Sequence, residues 1–282
     1  MTFWGITDRA GNPRPSIQKL LTIAALKSKQ WIRSKVKSHL IKQDHALRSY
    51  TITSSMDTNS LSHRKALIVG ATGLVGDFCL QNLLDSDIYS EVIALTRKPL
   101  LRSHRKLTSV ITNFRDVEHN LSNIKAEDVF CCLGSTIKKA GSKLAFKQVD
   151  CDLVISIAKL MRRQDSEQFI VISSLGANPN SKVFYNRIKG EMEQTLEQLG
   201  YPCLRIIRPS LLLGSREEFR LGEKMGEFLA LILIPFLQGS LKKYKPIHAK
   251  SVAQFMVKMA YEKPLSGVYH YESDEIQDHA LS

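Results

Sequence analysis

The stretch Lys65-Ala-Leu-Ile-Val-Gly-Ala-Thr-Gly-Leu-Val-Gly76 decides the fold: a short apolar run leads into three glycines spaced G-x-x-G-x-x-G. Apolar residues then recur on one helical face, at Val75, Cys79, Leu80, Leu83 and Leu84. Glycines between a strand and a helix let the backbone approach a dinucleotide pyrophosphate, and the helix N-terminus offers it unpaired N–H groups. The sequence therefore predicts a dinucleotide-binding turn, with an ordinary tight strand-to-helix turn as the alternative.

From Lys65 onward, strand-length apolar runs alternate with helical patterns. Six strands are predicted, over residues 66–69, 91–96, 107–112, 128–133, 168–173 and 203–207. Nearly continuous apolar strands separated by helices are typical of a parallel sheet that is covered on both faces. We therefore predict an α/β fold with a doubly wound parallel sheet.

The composition limits the partners that this chain is expected to bind. The formal net charge is +13 over 282 residues, but residues 1–55 hold ten Lys/Arg and two Asp, so +8 lies there and +5 remains for the rest. The basic character of the chain therefore says little about the folded body and does not indicate a nucleic-acid footprint on it, so no nucleic-acid partner is expected. The five cysteines form no C-x-x-C pair and the eight histidines show no metal-ligand spacing, which predicts buried, reduced thiols in a reducing compartment and no metal site.

Residues 1–55 differ from the rest of the chain, because apolar residues recur there at helical spacing with lysines and arginines between them. Three interpretations remain open: an amphipathic helix that contacts a membrane surface, an organelle-targeting peptide, or upstream sequence before a natural start at Met56. We favour the last, and so predict a loosely packed extension (1–55), a domain over 56–282 and a cytoplasmic location. A mitochondrial or membrane-associated location follows if the segment is a genuine targeting helix.

The end of the second predicted strand bears on the choice of cofactor. Enzymes that bind NAD often place Asp or Glu about 20 residues past the glycines, where it bonds the ribose 2′-hydroxyl. Here the strand ends Leu95-Thr96-Arg97-Lys98, with two cations and no carboxylate. A guanidinium suits a 2′-phosphate, so Arg97 and Lys98 favour NADP over NAD. The alternative is a merely solvated strand end.

A possible catalytic group follows the fifth strand. Tyr185 and Lys189 are four residues apart in a predicted helix, and Ser173 and Ser174 end the strand before it. Positions i and i+4 share one helix face, so an ammonium group at Lys189 can stabilise the ionised form of the Tyr185 phenol. Tyr185 is then a candidate acid–base for a carbonyl/alcohol pair, and Ser174 a hydrogen-bond donor to the substrate oxygen. The alternative is a half-buried tyrosine beside a solvated lysine.

Several longer motifs carry a family resemblance. They are Cys131–Thr136, Lys139–Gly141, Ser173–Ala177, Tyr185–Glu191, Arg208–Gly214 and Arg216–Glu223. With them the chain resembles an atypical branch of the short-chain dehydrogenase/reductase superfamily, the Tat-interacting-protein-like reductases and bacterial NAD(P)H-binding oxidoreductases. The resemblance covers about residues 65–275.

This resemblance implies a Rossmann-type fold and a set of site residues. It places the pyrophosphate on Gly70, Thr72, Gly73, Leu74, Val75 and Gly76, the nicotinamide beside Leu133, Gly134, Ser135, Arg208, Pro209 and Ser210, and catalysis on Ser174, Tyr185 and Lys189. A small substrate cap is expected around 213–246. One departure concerns Asp150, which is the nearest candidate where many relatives carry an asparagine of a proton relay; we do not include it in the catalytic set.

These features together predict an NADP(H)-dependent oxidoreductase that reduces a ketone or aldehyde, or catalyses the reverse reaction. Its partner is then a small carbonyl or alcohol substrate. Two other functions remain open: an NADPH-binding regulatory protein with little turnover, and an enzyme similar to nucleotide-sugar epimerases. The expected cap is short, with about 60 residues after Arg208, and this leaves little room for a nucleotide-sugar pocket.

Overall fold

The computed structural model describes residues 64–114, 116–214, 237–262 and 266–280. The first half contains β1 (Arg64–Val69), α1 (Leu74–Asp85), β2 (Tyr89–Thr96), β3 (Leu107–Ile111), α2 (Val117–Leu121), β4 (Asp128–Cys131), α3 (Ile137–Ala140) and α4 (Lys143–Lys147). A π-helical turn, Gln148–Asp152, joins α4 to α5 (Leu153–Arg163). The remainder contains β5 (Gln168–Ile172), α6 (Phe184–Glu197), β6 (Cys203–Arg208), β7 (Leu212–Leu213), a 3₁₀ helix (Gly239–Tyr244), β8 (Ile247–His248), α7 (Ala249–Tyr261), β9 (Gly267–Glu272) and α8 (Ser273–Ala280).

Seven strands form the main sheet in the order β3-β2-β1-β4-β5-β6-β9, and every neighbouring pair is parallel. The strand order changes direction between β1 and β4, which creates a crevice at the carboxyl ends of these two strands. Ligands of doubly wound sheets bind in such a crevice. The predicted α/β class is confirmed, and so are the six predicted strands, with ends that shift by one or two residues.

The sheet is buried on both faces, which explains why its strands are nearly continuous apolar runs. Helices α1 and α7 cover one face, where Leu80, Leu83 and Met256 are buried. Helices α5 and α6 cover the other, where Ile157 and Met192 are buried. Full burial of each such side chain contributes about 1.5–3 kcal/mol to the free energy of folding. The core therefore stabilises the sheet, and the sheet positions the crevice.

A buried polar network closes the opposite, amino edge of the sheet. Asp128 is fully buried and accepts hydrogen bonds from Arg64 Nε at 3.0 Å, Tyr89 Oη at 2.8 Å and Gln168 Nε2 at 3.1 Å. Gln168 in turn accepts from Arg205 Nε at 2.9 Å, which links β1, β2, β4, β5 and β6. Burial raises the pKa of the Asp128 carboxyl, and the Arg64 guanidinium opposes this shift. The network stabilises the sheet at the edge away from the crevice.

All five cysteines are free and buried, as the sequence predicted. Burial raises the pKa of Cys131 to about 12 and that of Cys151 to about 11, so both thiols stay protonated at neutral pH. Protonated, buried thiols are poor nucleophiles. The cysteines are therefore core residues of this fold.

Two sequence predictions fall mainly on other parts of the chain. The extension (1–55) lies outside the described residues, and of the expected cap around 213–246 only 213–214 and 237–246 are described. Both stay predictions. Within the described ranges, none of the helices has the length and apolar character that crossing a membrane requires.

Candidate active site

The turn between β1 and α1 requires its glycines. Gly70 has a φ of +83°, and a Cβ atom on it would lie 2.6 Å from the Cys132 carbonyl oxygen. A Cβ atom on Gly76 would lie 2.0 Å from the Gly70 carbonyl oxygen. The Gly73 N–H closes the turn by donating to Gly70 O at 2.8 Å. Side chains are therefore excluded where the backbone folds most tightly, and this leaves a bare backbone cradle.

This cradle lies at the crevice of the sheet. The Cys132 N–H donates to Val69 O at 2.8 Å, so the chain leaving β4 runs beside the end of β1. Helix α1 begins at Leu74 with Gly73 as its N-cap, and the first N–H groups of an α-helix have no acceptor within the helix. Backbone donors and the positive end of the helix dipole suit a pyrophosphate. The observed backbone thus fits the predicted dinucleotide.

A cavity with several basic residues lies at the end of β2. This cavity of about 960 Å³ is lined by residues that include Thr72, Asp77, Arg97, Lys98 and Arg102. The side chains of Arg97 and Lys98 are exposed. Arg102 Nη2 donates to Asp77 Oδ1 at 3.4 Å, whereas its Nη1 is buried and meets no hydrogen-bond acceptor within the described part of the chain. Three cationic groups therefore surround a space next to the glycine turn.

Tyr185 and Lys189 lie on successive turns of α6. Tyr185 is half-buried in the first turn, and its ring packs against Phe146 of α4 with a centroid distance of 5.2 Å. Lys189 is buried, and its Nζ lies 3.4 Å from the Ile172 carbonyl oxygen at the end of β5. A Cβ on the following residue, Gly190, would lie 2.2 Å from the backbone nitrogen of Pro179, so this glycine allows α6 to sit close to the loop after β5.

The charge of Lys189 is balanced by Asp150. Lys189 Nζ and Asp150 Oδ1 are 2.9 Å apart, and their side chains are 2% and 0% exposed. Burial alone would lower the pKa of the Lys189 ammonium, but the attraction of the Asp150 carboxylate, with a smaller contribution from the neighbouring Tyr185 hydroxyl, outweighs it, so the pKa is raised. Lys189 is therefore a cation throughout the neutral pH range. The second carboxylate oxygen, Asp150 Oδ2, is buried with no hydrogen-bond partner among residues that the structure describes.

Ser174 follows β5 with its backbone held in place. The Ser173 N–H donates to Ile207 O at 2.7 Å, and the Leu175 N–H donates to Pro209 O at 2.9 Å. The Ser174 hydroxyl is buried, and no described residue pairs with it; the same holds for the hydroxyl of Ser173. Buried polar groups are nearly always hydrogen-bonded in folded proteins. Within the described residues, the two unpaired hydroxyls at the end of β5 are exceptions to this rule.

Comparison with known proteins identifies the family. A family model described as NAD(P)H-binding matches residues 70–263, which contain the glycine turn, the Tyr185–Lys189 helix and β6. The chain belongs to the NAD(P)H-binding family. The glycine turn lies within the matched residues.

Two curated relatives extend this family assignment. Rat protein HTATIP2 is 32% identical over 167 residues, which cover 58% of this chain and 69% of that protein. The mitochondrial protein FMP52 of Eremothecium gossypii is 30% identical over 213 residues, which cover 75% of this chain and 95% of that protein. The predicted resemblance to Tat-interacting-protein-like members is confirmed.

Two solved structures share the fold of this chain. UDP-glucose 4-epimerase from Thermotoga maritima superposes with a TM-score of 0.56 at 15% identity, over 77% of this chain and 80% of that one. A short-chain dehydrogenase family protein from Francisella tularensis gives a TM-score of 0.52 at 14% identity, over 76% of this chain and 99% of that one. The Rossmann-type sheet predicted from the sequence is thereby confirmed.

The remaining predicted residues of this NAD(P)H-binding chain lie around the same crevice. Leu133, Gly134 and Ser135 leave β4 beside Asp150, whose Oδ1 accepts from the Ser135 N–H at 3.2 Å. Arg208 ends β6 and pairs with the buried Glu193 at 2.5 Å. The Pro209 carbonyl accepts from Leu175, and the Ser210 hydroxyl donates to Lys245 O. Arg208, Pro209 and Ser210 therefore bond to the protein itself at this edge of the crevice.

The sequence analysis gave no role to two residues that the structure brings to this region. Asp150, which the prediction left out of the catalytic set, is the ion-pair partner of Lys189. Its signal was only an aspartate near an expected asparagine. Arg102, five residues after Arg97, joins the cavity at the end of β2. Its signal in the sequence was a third cation after this strand. A pattern of alternating strands and helices does not indicate where such a loop residue lies.

Proposed function

We propose that this chain is an NADP(H)-dependent oxidoreductase that reduces a ketone or aldehyde, or catalyses the reverse reaction. The observation that supports the proposal best is the environment of Lys189. A buried cation one helical turn from Tyr185 reaches the end of β5, where the unpaired hydroxyl of Ser174 follows. In a chain of the NAD(P)H-binding family, this arrangement suits proton transfer to a substrate oxygen.

Each of the three side chains has a distinct role in this proposal. When bound, the reduced nicotinamide supplies the hydride that a carbonyl carbon accepts. Tyr185 donates its phenolic proton to the carbonyl oxygen, which thereby becomes a hydroxyl, and is reprotonated from solvent. Ser174 donates a hydrogen bond to the same oxygen, and the ammonium of Lys189 stabilises the phenolate that Tyr185 leaves.

The proposal includes a preference for NADPH over NADH. Arg97, Lys98 and Arg102 surround the cavity at the end of β2, and a guanidinium with a buried, unpaired nitrogen can bond a phosphate oxygen strongly. Asp77 also lines this cavity, but it pairs with Arg102. The charges there favour a 2′-phosphate over a 2′-hydroxyl.

A binding titration followed by a turnover assay tests this proposal. The purified full chain is titrated with NADPH and with NADH, and the fluorescence of the nicotinamide is recorded. We expect NADPH to bind at least about tenfold more tightly, since one charge-assisted hydrogen bond contributes about 1.5–3 kcal/mol. A panel of aldehydes and ketones is then screened for loss of nicotinamide absorbance. Absence of binding by either nucleotide would contradict the proposal.

The same assays distinguish the two other functions. An NADPH-binding regulatory protein would bind NADPH tightly and oxidise it with no member of the panel. An epimerase-like enzyme would act on a nucleotide sugar without net consumption of cofactor. A control variant, Tyr185→Phe, is expected to retain NADPH binding in each case, so a loss of turnover in it separates catalysis from binding.

We also propose that the full chain is mitochondrial rather than cytoplasmic. The support is twofold: several fungal relatives carry the name FMP52, mitochondrial, and residues 1–55 are basic and poor in acids. We expect a fluorescent protein fused after residue 282 to co-localise with mitochondria, and the same fusion lacking residues 1–55 to become cytosolic. A cytosolic signal from the full-length fusion would contradict this proposal.

A further inference from the structure

Asp150 occupies an unusual segment of the chain. It lies in the π-helical turn Gln148–Asp152 between α4 and α5, and its side chain is completely buried. A π turn inserts an extra residue into a helix and thereby changes the direction of the side chains that follow, and such turns are frequent at functional sites. Here the turn places a carboxylate inside the protein, beside the crevice.

The contacts of Asp150 join two segments of the candidate active site. Its Oδ1 lies 2.9 Å from Lys189 Nζ on α6 and accepts from the Ser135 N–H at 3.2 Å. Ser135 belongs to the loop that leaves β4, on the side expected for the nicotinamide. One carboxylate oxygen therefore ties the lysine of α6 to this loop.

We propose that Asp150 is a positioning residue, which holds Lys189 in its charged form and fixes it to the loop Leu133–Ser135 on the nicotinamide side of the crevice. The nicotinamide part rests on the proposed function, whereas the ion pair does not. An isolated buried ammonium is unstable in a protein interior and loses its proton unless a counterion is present.

The groups around Lys189 leave Asp150 as this counterion. Lys189 faces the Asp150 carboxylate from the π turn, the Cys131 thiol from β4, the Ile172 carbonyl from β5 and, on its own helix, the phenol of Tyr185. Burial raises the pKa of Cys131 to about 12, so the thiol is neutral at physiological pH. The carboxylate therefore supplies the negative charge that the ammonium needs.

A stability measurement tests the ion pair without any cofactor. In Asp150→Asn the buried Lys189 has lost its counterion, and we expect the Tm to fall by about 10 °C at pH 7. The pKa of Lys189 in the folded variant then lies below its pKa in the unfolded chain. The folded variant therefore gains stability relative to the unfolded chain as the pH rises. In the wild type the pKa is raised, and the contribution of Lys189 persists beyond pH 9. The difference in Tm between the wild type and Asp150→Asn should therefore be clearly smaller at pH 9 than at pH 7.

Two further variants control this measurement. The double variant Asp150→Asn/Lys189→Met removes both charges and is expected to recover most of the lost Tm. Asp152→Asn changes an acid of the same turn whose side chain is 46% exposed and pairs with Lys147, so its Tm should stay within about 2 °C of the wild type. A pH-independent loss in Asp150→Asn, or a double variant as unstable as the single one, would overturn the assignment of the counterion.

A binding comparison tests the link to the nicotinamide loop. NADPH contains the nicotinamide half, whereas 2′,5′-ADP carries only the adenosine and the phosphates. We expect Asp150→Ala to raise the Kd of NADPH about tenfold and to leave the Kd of 2′,5′-ADP within twofold of the wild-type value. The reason is that the substitution removes a contact only on the nicotinamide side of the crevice. If the Kd of both ligands rose equally, or if neither Kd changed, the positioning role at the loop would be overturned.

The two measurements also separate this inference from the proposed function. If the wild type binds neither NADPH nor 2′,5′-ADP, the proposed cofactor use is wrong and the positioning role at the nicotinamide is overturned with it. The ion pair is judged independently by the pH dependence of Tm. If the wild type binds both ligands but reduces no carbonyl, the proposed reaction is wrong while both parts of this inference remain measurable.

Discussion

Replacement of Tyr185 by phenylalanine is expected to reduce kcat for carbonyl reduction by about 10³-fold while the Kd of NADPH changes by less than about twofold. The phenolic hydroxyl is the only group removed, and it is the proposed proton donor. The ring itself packs on Phe146, and phenylalanine preserves that contact. We therefore expect the fold to be unaffected, so that kcat falls with little change in Tm.

The matched control is Tyr261→Phe, which removes the same oxygen from an exposed tyrosine at the end of α7. Its turnover and NADPH affinity should equal those of the wild type. Steady-state kinetics with the best carbonyl of the panel, together with a thermal melt of each variant, provide the comparison. Full activity in Tyr185→Phe would exclude this tyrosine as the acid. A joint loss of activity, affinity and Tm would mean that it is structural.

The part of this site that the sequence predicted is the part encoded locally. Gly70, Gly73 and Gly76 are needed because a Cβ atom at any of these positions would lie too close to backbone atoms of the strand-to-helix turn. All three glycines fall within one short segment of sequence. Tyr185 and Lys189 are likewise one helical turn apart, so their shared face follows from their spacing. Such features depend on neighbours in sequence, and a single sequence is enough to find them.

The parts that were missed depend on tertiary contacts. The pairing of Asp150 with Lys189 joins segments 39 residues apart, and it depends on the π turn Gln148–Asp152 that separates α4 from α5. Strand β9 (Gly267–Glu272) was not predicted, because it is the partly exposed edge strand of the sheet and lacks a continuous apolar run. Neither the interruption of a helix nor the pairing of an edge strand is recorded in local periodicity.

Arg102 shows the same limit in a loop. Its cavity forms because the chain after β2 returns towards α1, where Arg102 meets Asp77. The sequence contains three cations within six residues, but which of them line one cavity depends on the path of the loop. The structure therefore adds Arg102 to Arg97 and Lys98, the two residues that the sequence analysis named as candidates for contact with a 2′-phosphate.

Replacement of Arg97 by alanine is expected to raise the Kd of NADPH by about 10- to 100-fold and to leave the Kd of NADH unchanged. The reason is that a charge-assisted hydrogen bond to a phosphate contributes about 1.5–3 kcal/mol, whereas a 2′-hydroxyl has no charge for the guanidinium to pair with. Arg102→Ala should act in the same direction, since Arg102 lines the same cavity. Fluorescence titrations of each variant with both nucleotides measure this selectivity.

The control for this selectivity is Arg105→Ala, which removes the same charge from an exposed side chain in the same loop region, outside the residues that line the cavity. Its ratio of NADH to NADPH Kd should match that of the wild type. Repeating the titrations at higher salt weakens all long-range attraction, so a selectivity that survives identifies direct contact with the 2′-phosphate rather than general charge. Equal effects of Arg97→Ala on both nucleotides would mean that the cation steers nucleotides without recognising the phosphate, and the preference for NADPH would have to arise elsewhere in the site.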